Sequence, residues 1–228
     1  MQTTSNTGFI IGIFKRELKN RFLCEVNIEG EDIVCYVPSS CHLSNFLQLE
    51  GKKVLLVPTK SKYTRTSYAL FAVPYKRNYI LLNTSMANRA VENSLRGRRF
   101  SFLGNRKNVI KEHMLAGYKT DLFLPDSNTA IEIKSVISLD NTAHFPTVYS
   151  ERSIKQLEQI LKMLHEGYNI CFMIVSLHPY IRELQIDVNT EFYFLLKKCI
   201  EAGLLFKAYA CRLQDGNPVI AKEIPVKH

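Results

Sequence analysis

The sequence predicts a mixed α/β (α+β) chain, a small N-terminal β-barrel followed by a mixed sheet flanked by helices. Three observations carry this reading. Five short, partly alternating apolar runs fill the first eighty residues with no helical period among them. Turn signals at Glu29-Gly30, Pro58 and Pro74 punctuate those runs. From Thr84 onward, helical periods alternate with strand-like runs. The 228 residues therefore divide into 1–80 and 81–228, each long enough to bury a core of its own.

In chain order, the expected barrel strands are 9–14, 22–28, 32–37, 53–57 and 68–73. Five short strands without a helix suit a closed or half-closed barrel. A helix follows at 84–95, with Thr84 as N-cap and Gly97 just past its end. Strands are expected at 108–113, 118–124 and 129–136. The next helix, 150–165, has Ser153 and Gln156 at capping-box spacing, an apolar face of Ile154, Leu157, Ile160, Leu161 and Leu164, and Gly167 as its stop. The nearly continuous apolar run 169–176 reads as a strand buried on both faces. A helix at 190–202, stopped by Gly203, and strands at 206–212 and 218–223 complete the chain.

Several classes are excluded or disfavoured. No apolar run reaches the roughly 18 residues of a membrane span. Gly8 to Phe14, the best candidate for a leader, lacks a basic flank and a cleavage site. The six cysteines form no C-x-x-C pair and read as buried reduced thiols, so a cytoplasmic protein is expected. The histidines show no metal-binding spacing. No Walker A, G-x-G-x-x-G or G-x-S-x-G sequence occurs, which leaves no support for a small-molecule nucleotide cofactor or a serine hydrolase.

The net charge is +9, and its distribution is uneven. Residues 51–111 carry 14 basic residues and one acid, Glu92, while the rest of the chain is slightly acidic. Tyr63, Tyr68, Phe71, Tyr75, Tyr79, Phe100 and Phe102 are interleaved with that charge. Cations with aromatics suit phosphate neutralisation and base stacking, so DNA or RNA is the expected partner. The candidates for this grip are Lys60, Lys62, Arg65, Arg96, Arg98, Arg99, Arg106 and Lys107, with Arg152 and Lys155 on the first turns of helix 150–165. A solvated basic face, an acidic protein partner or anionic lipid are the alternatives.

The sharpest chemical feature is a predicted hairpin. Pro125-Asp126-Ser127-Asn128 has the composition of a four-residue loop. With that loop, Leu124 pairs with Thr129, and stepping back in register sets Asp121 opposite Glu132, with Lys134 on the same face. Two carboxylates about 5 Å apart repel by roughly 3 kcal/mol at an effective dielectric of about 20. A divalent cation between them would relieve this, and a lysine alongside could orient or deprotonate a water. An exposed hairpin in which Lys134 merely screens Glu132 is the other reading. Glu112, on the preceding predicted strand, is a candidate third carboxylate.

Three segments carry a resemblance: Leu82-Asn83-Thr84-Ser85-Met86-Ala87-Asn88-Arg89; Asp121-Leu122 with Ile131-Glu132-Ile133-Lys134-Ser135-Val136; and Phe145-Pro146 with Glu151-Arg152. Over nearly its whole length the chain resembles the SfsA family, the sugar fermentation stimulation proteins. The resemblance implies an OB-like barrel over 1–80 and a PD-(D/E)XK nuclease-like domain over 81–228. It implies a DNA-binding protein with divalent-metal-dependent nuclease activity on DNA or RNA, or a non-catalytic regulator that retains the core. It casts Asp121, Glu132 and the Ile133 carbonyl as ligands of Mg2+ or Mn2+, Lys134 as the water-orienting lysine, and Glu112 as the acid before the hairpin. A homodimer is compatible with it. Pro38-Ser39-Ser40-Cys41 stands where the family usually has Pro-Asn-Thr-Gly, and Lys119-Thr120 where an arginine usually precedes the aspartate.

Overall fold

Alternation in the first eighty residues becomes a closed barrel. The computed structural model describes residues 9–39, 42–45, 47–59 and 65–228. Its first strands are β1 (Ile10–Glu17), β2 (Leu23–Ile28), β3 (Glu31–Tyr36), β4 (Lys53–Pro58), β5 (Tyr68–Tyr75) and β6 (Asn78–Leu81). They run in the order β3-β2-β1-β4-β5-β6, and a Tyr36–Ala69 pairing of β3 with β5 closes five of them into a barrel. Phe14, Cys24, Val26, Cys35, Val54, Leu56 and Leu70 point inward and are almost fully buried. Glu29 and Gly30, with φ of 53° and 97°, make the expected tight turn between β2 and β3.

Pro74 does not close its strand as expected. It lies inside β5, paired with Tyr79 of β6. The β4 ladder has already stopped at Ala72, so the N–H that proline lacks has no partner to lose. The hairpin partner β6 therefore escapes a reading that treats proline as a stop.

The second half comprises α1 (Met86–Ser94), β7 (Ile110–Lys111), β8 (Met114–Leu115), β9 (Tyr118–Lys119), β10 (Leu122–Leu124), β11 (Thr129–Val136), β12 (Thr142–Phe145), α2 (Glu151–His165), β13 (Asn169–Ser176), β14 (Glu183–Ile186), α3 (Glu191–Glu201), β15 (Leu205–Gln214), β16 (Asn217–Glu223) and β17 (Val226–Lys227). The main sheet runs β16-β15-β13-β11-β10-β7. Its centre, β15-β13-β11, is parallel, and its edges are antiparallel. One face packs Phe172, Ile174 and Ala208 against Ile154, Leu157 and Ile160 of α2 and Phe192 and Leu196 of α3. On the other face, Ile131, Ile133, Cys171, Met173 and Tyr209 join α1 and the barrel in one continuous core. β13 is thus buried on both sides, as its unbroken apolar run requires.

Local departures have local causes. The expected strand 108–113 shrinks to β7, and 118–124 splits into β9 and β10. Glu112, Ala116 and Gly117 all take positive φ (50°, 48° and 77°) and fold 112–119 into a hairpin of its own, β8–β9. Residues 98–103 form a short 3-10 turn, and β12, β14 and β17 make a separate parallel sheet too short to read by period. At α1 the N-cap position is Ser85, not Thr84, and no side chain caps the helix; the Ser85 N–H (3.0 Å) and hydroxyl (2.7 Å) instead donate to Asn83 Oδ1. At α2 the cap is Ser150, whose hydroxyl accepts from Ser153 N (3.3 Å), so the Ser153–Gln156 capping box is not formed.

The five described cysteines are free and buried, and burial pushes the Cys35 thiol up to about 11 and the Cys171 thiol up to about 12. Among the described residues, no helix is long and apolar enough to cross a membrane. His178 sits at the junction of barrel and sheet, its ring against Tyr75 and Tyr180. Its Nδ1 accepts from Tyr180 N (3.0 Å), and burial holds it neutral, down to about 4.

Candidate metal centre and polar cleft

The hairpin forms in the expected register: Leu124 faces Thr129, Phe123 faces Ala130 and Leu122 faces Ile131. Pro125–Ser127 make a 3-10 turn, and Asn128 closes it in the left-handed region (φ 49°). One step further back, where the register would set Asp121 opposite Glu132, β10 has already ended. The Asp121 side chain continues the ladder in place of main chain, its Oδ2 accepting from Ile133 N at 2.7 Å. Its Oδ1 accepts from Asn88 Nδ2 of α1 at 3.0 Å. Ile133 turns its N–H toward the missing end of β10. Its carbonyl, on the same side of the strand, faces that open edge as well.

Glu132 is only 4% exposed. Its Oε1 accepts from Lys134 Nζ (2.7 Å) and Gln156 Nε2 (3.3 Å), and its Oε2 accepts from the Tyr118 hydroxyl (2.7 Å). Burial raises its pKa, the Lys134 charge works against that rise, and the Asp121 charge adds to it. The two carboxylates are therefore electrostatic neighbours where β10 ends beside β11. The Tyr118 phenol is pushed up strongly, by burial first and then by the Glu132 charge. It is thus a permanent O–H donor to Glu132. Lys134 also donates to Gln156 Oε1 at 2.6 Å, which ties α2 to the site.

Beside this cluster opens a cleft of about 410 Å³ lined by Thr84, Ser85, Asn88, Ile133, Lys134, Ser135, Ser150, Arg152, Ser153 and Gln156. Apart from Ile133, the wall is hydroxyls, amides and two cations. Arg152 reaches it from the first turn of α2, and Lys155 points outward on the same helix.

Asp121, Glu132, Ile133 and Lys134 are thus brought together, and Glu112 is not. Its N–H donates to the Asp121 carbonyl (2.9 Å), while its carboxylate turns out to Lys119 at 2.7 Å. Among the described residues, no group of three or more His, Cys, Asp or Glu side chains is arranged to hold an ion. The basic candidates do not converge either. Arg96, Arg106 and Lys107 line a second cleft of about 490 Å³. Arg106 spends its guanidinium on the Leu95 and Gly104 carbonyls, and Arg99 spends its own on the Ile220 and Ala221 carbonyls of β16. Arg65 and Arg98 are exposed, and Lys60 and Lys62 lie outside the described residues.

Three residues of the site escaped the sequence reading. Asn88 lies inside the segment 82–89 that carried the resemblance, so a signal was present. Gln156 was assigned to a cap, and Tyr118 showed no pattern at all.

Fold and site together define a two-part protein: a barrel fused to a mixed-sheet domain that gathers carboxylates where the short strand β10 ends beside β11. Comparison with known proteins makes this particular. A family model described as the SfsA N-terminal OB domain matches residues 17–82, and one described as the sugar fermentation stimulation protein RE domain matches residues 85–217. The chain belongs to the sugar fermentation stimulation (SfsA) family. Similar curated proteins, each named a sugar fermentation stimulation protein homolog, include one from Pseudoalteromonas atlantica, 24% identical, covering 96% of this chain and 97% of its own. Another, from Desulforamulus reducens, is 27% identical over 92% of this chain and 90% of its own. Among solved structures, Pyrococcus furiosus SfsA in complex with Ca2+ aligns over the full length of both chains, with a TM-score of 0.79 and 18% identity. That likeness supports the fold.

Proposed function

We propose that the chain is a divalent-metal-dependent nuclease that hydrolyses phosphodiester bonds of DNA or RNA. The observation that carries this is the pairing of Asp121 and Glu132 as electrostatic neighbours, with Lys134 alongside, at the edge of a cation-bearing polar cleft. The donor set suits a hard cation: two carboxylates and the Ile133 carbonyl are all oxygen ligands, and Mg2+ commonly takes one or two carboxylates with water and phosphate completing its shell. A related protein crystallised with Ca2+ is consistent with this. Bound there, such an ion would polarise the scissile phosphate and lower the pKa of a water.

The chain's own residues have distinct tasks in this reading. Asn88 and Ile133 N fix the Asp121 carboxylate, and Tyr118 and Gln156 fix that of Glu132. Arg152 and the hydroxyls of Thr84, Ser85, Ser150 and Ser153 receive the phosphate. Lys134 orients the attacking water; its oxygen bonds to phosphorus, one P–O ester bond breaks, and a proton passes to the leaving oxygen.

One observation favours the alternative of a non-catalytic DNA-binding regulator: all four oxygens of Asp121 and Glu132 already accept hydrogen bonds. Incubation with single- and double-stranded DNA and RNA, in Mg2+, Mn2+ or EDTA, decides between them. The nuclease reading expects cleavage that EDTA and Asp121→Ala each abolish. Cleavage surviving both sinks the assignment, and salt-sensitive binding without cleavage in any metal selects the regulator.

A further inference from the structure

The barrel carries an aromatic feature outside the basic segment 51–111. Phe22, just before β2, and Tyr36, at the end of β3, are 38% and 39% exposed. Their rings are nearly parallel, 17° apart in plane with centroids at 6.4 Å. The Arg21 guanidinium lies over the Phe22 ring at 4.7 Å from its centroid. Lys15, on β1, and Lys19, in the turn that follows it, are exposed, and among the described residues neither they nor Arg21 is in an ion pair. Scattered exposed apolar residues need no explanation. This row differs because it is contiguous, cationic and held in place. Phe22 N donates to Asn20 Oδ1 (3.1 Å), and the Phe22 carbonyl accepts from Val37 N (2.8 Å). The turn is thus pinned to the strand that carries Tyr36, and the rings pay little ordering entropy on binding.

We propose that Arg21, Phe22 and Tyr36 form a stacking platform for unpaired bases, with Lys15 and Lys19 on the adjoining phosphates, so that the barrel takes single-stranded nucleic acid. A ring presented at the surface meets the face of any base, and only an unpaired base offers that face; the cations supply the sequence-independent remainder. The charge selects a polyanion over an apolar protein partner. Bases in a duplex are already stacked and present only phosphate to this row. The inference deepens the nucleic-acid reading above by naming a strand type, and it does not depend on cleavage.

The test is fluorescence anisotropy of a labelled oligo-dT and of a matched duplex, with the full chain in EDTA so that nothing is cut. The double variant Phe22→Ala/Tyr36→Ala is expected to weaken oligo-dT binding by about tenfold or more while changing duplex binding little. Phe22→Leu/Tyr36→Leu, which keeps apolar bulk without rings, is expected to weaken it similarly. Arg21→Gln is expected to flatten the salt dependence by about one phosphate contact. Unchanged oligo-dT affinity in a folded ring variant overturns the platform, as does equal loss on single strand and duplex. The two readings fail separately. Loss of oligo-dT binding in the ring variants, in a chain that never cleaves, retains the platform and removes the nuclease. Cleavage abolished by Asp121→Ala, with ring variants that bind normally, does the reverse.

Discussion

Two glutamate–lysine pairs stand close together in this molecule, and both have a closest N···O distance of 2.7 Å. Glu132–Lys134 lies on β11, with side chains 5% and 22% exposed; Glu112–Lys119 lies across the β8–β9 hairpin at 72% and 56%. Their carboxyls are displaced in opposite directions. Lys119 holds that of Glu112 below the usual range, because its hydrogen bond and its charge outweigh the slight desolvation of an exposed carboxylate. Burial holds that of Glu132 above it, although Lys134 is equally near. An ion pair's length therefore says little about its chemistry, and the solvent that has been removed says more. A buried carboxylate resisting ionisation beside a second carboxylate is a place where a cation gains; an exposed pair is not.

The largest expected effect separates the pairs by activity. Glu132→Ala should reduce metal-dependent cleavage by more than about a hundredfold, since outer-shell partners of a metal alone cost about 10–100-fold. Glu112→Ala should leave it at the wild-type rate; an equal loss in both would break the contrast. Next is stability, measured by urea denaturation. Lys134→Met leaves the Glu132 charge buried and should cost about 3 kcal/mol, whereas Lys119→Met breaks an exposed pair and should move the midpoint far less. Tyr118→Phe removes one donor to Glu132 and should cost about 1.5 kcal/mol; no change there would mean that the phenol does not support the site. The smallest effect is in titration. Carboxyl NMR should place Glu132 above the ordinary glutamate value and Glu112 below it. For the metal-free protein the signs follow. A raised carboxyl binds its proton more tightly in the folded state, so stability falls as pH rises from the ordinary glutamate value through that of Glu132. The Glu112 contribution is present above the ordinary value and is lost as pH falls through its lowered one.

Much of the scaffold was legible because it is local. Strands β11 and β13 follow their apolar runs to the residue, and the four-residue loop sets the β10–β11 register with no tertiary information. Proline as a stop failed at Pro74 because the consequence of a missing N–H depends on whether the neighbouring strand reaches that far. Ser153–Gln156 failed as a capping box because Ser150 caps α2 and sets Ser153 inside its first turn, while Gln156 bonds Glu132 and Lys134. Arg99 and Arg106 read as a nucleic-acid grip because their charge is visible in sequence, while the main-chain carbonyls they cap come from elsewhere in the fold.

The sequence by itself determined the barrel-plus-mixed-sheet fold class and the hairpin with its register from Leu122–Ile131 to Leu124–Thr129, since periodicity and turn chemistry act over a few residues. Only the tertiary structure decided that Asp121 ends its strand by binding Ile133 N, that Asn88, Tyr118 and Gln156 converge on the two carboxylates, and that Glu112 turns away. Those outcomes depend on desolvation and on donors brought in from distant segments, and neither is written in the spacing of neighbours along the chain.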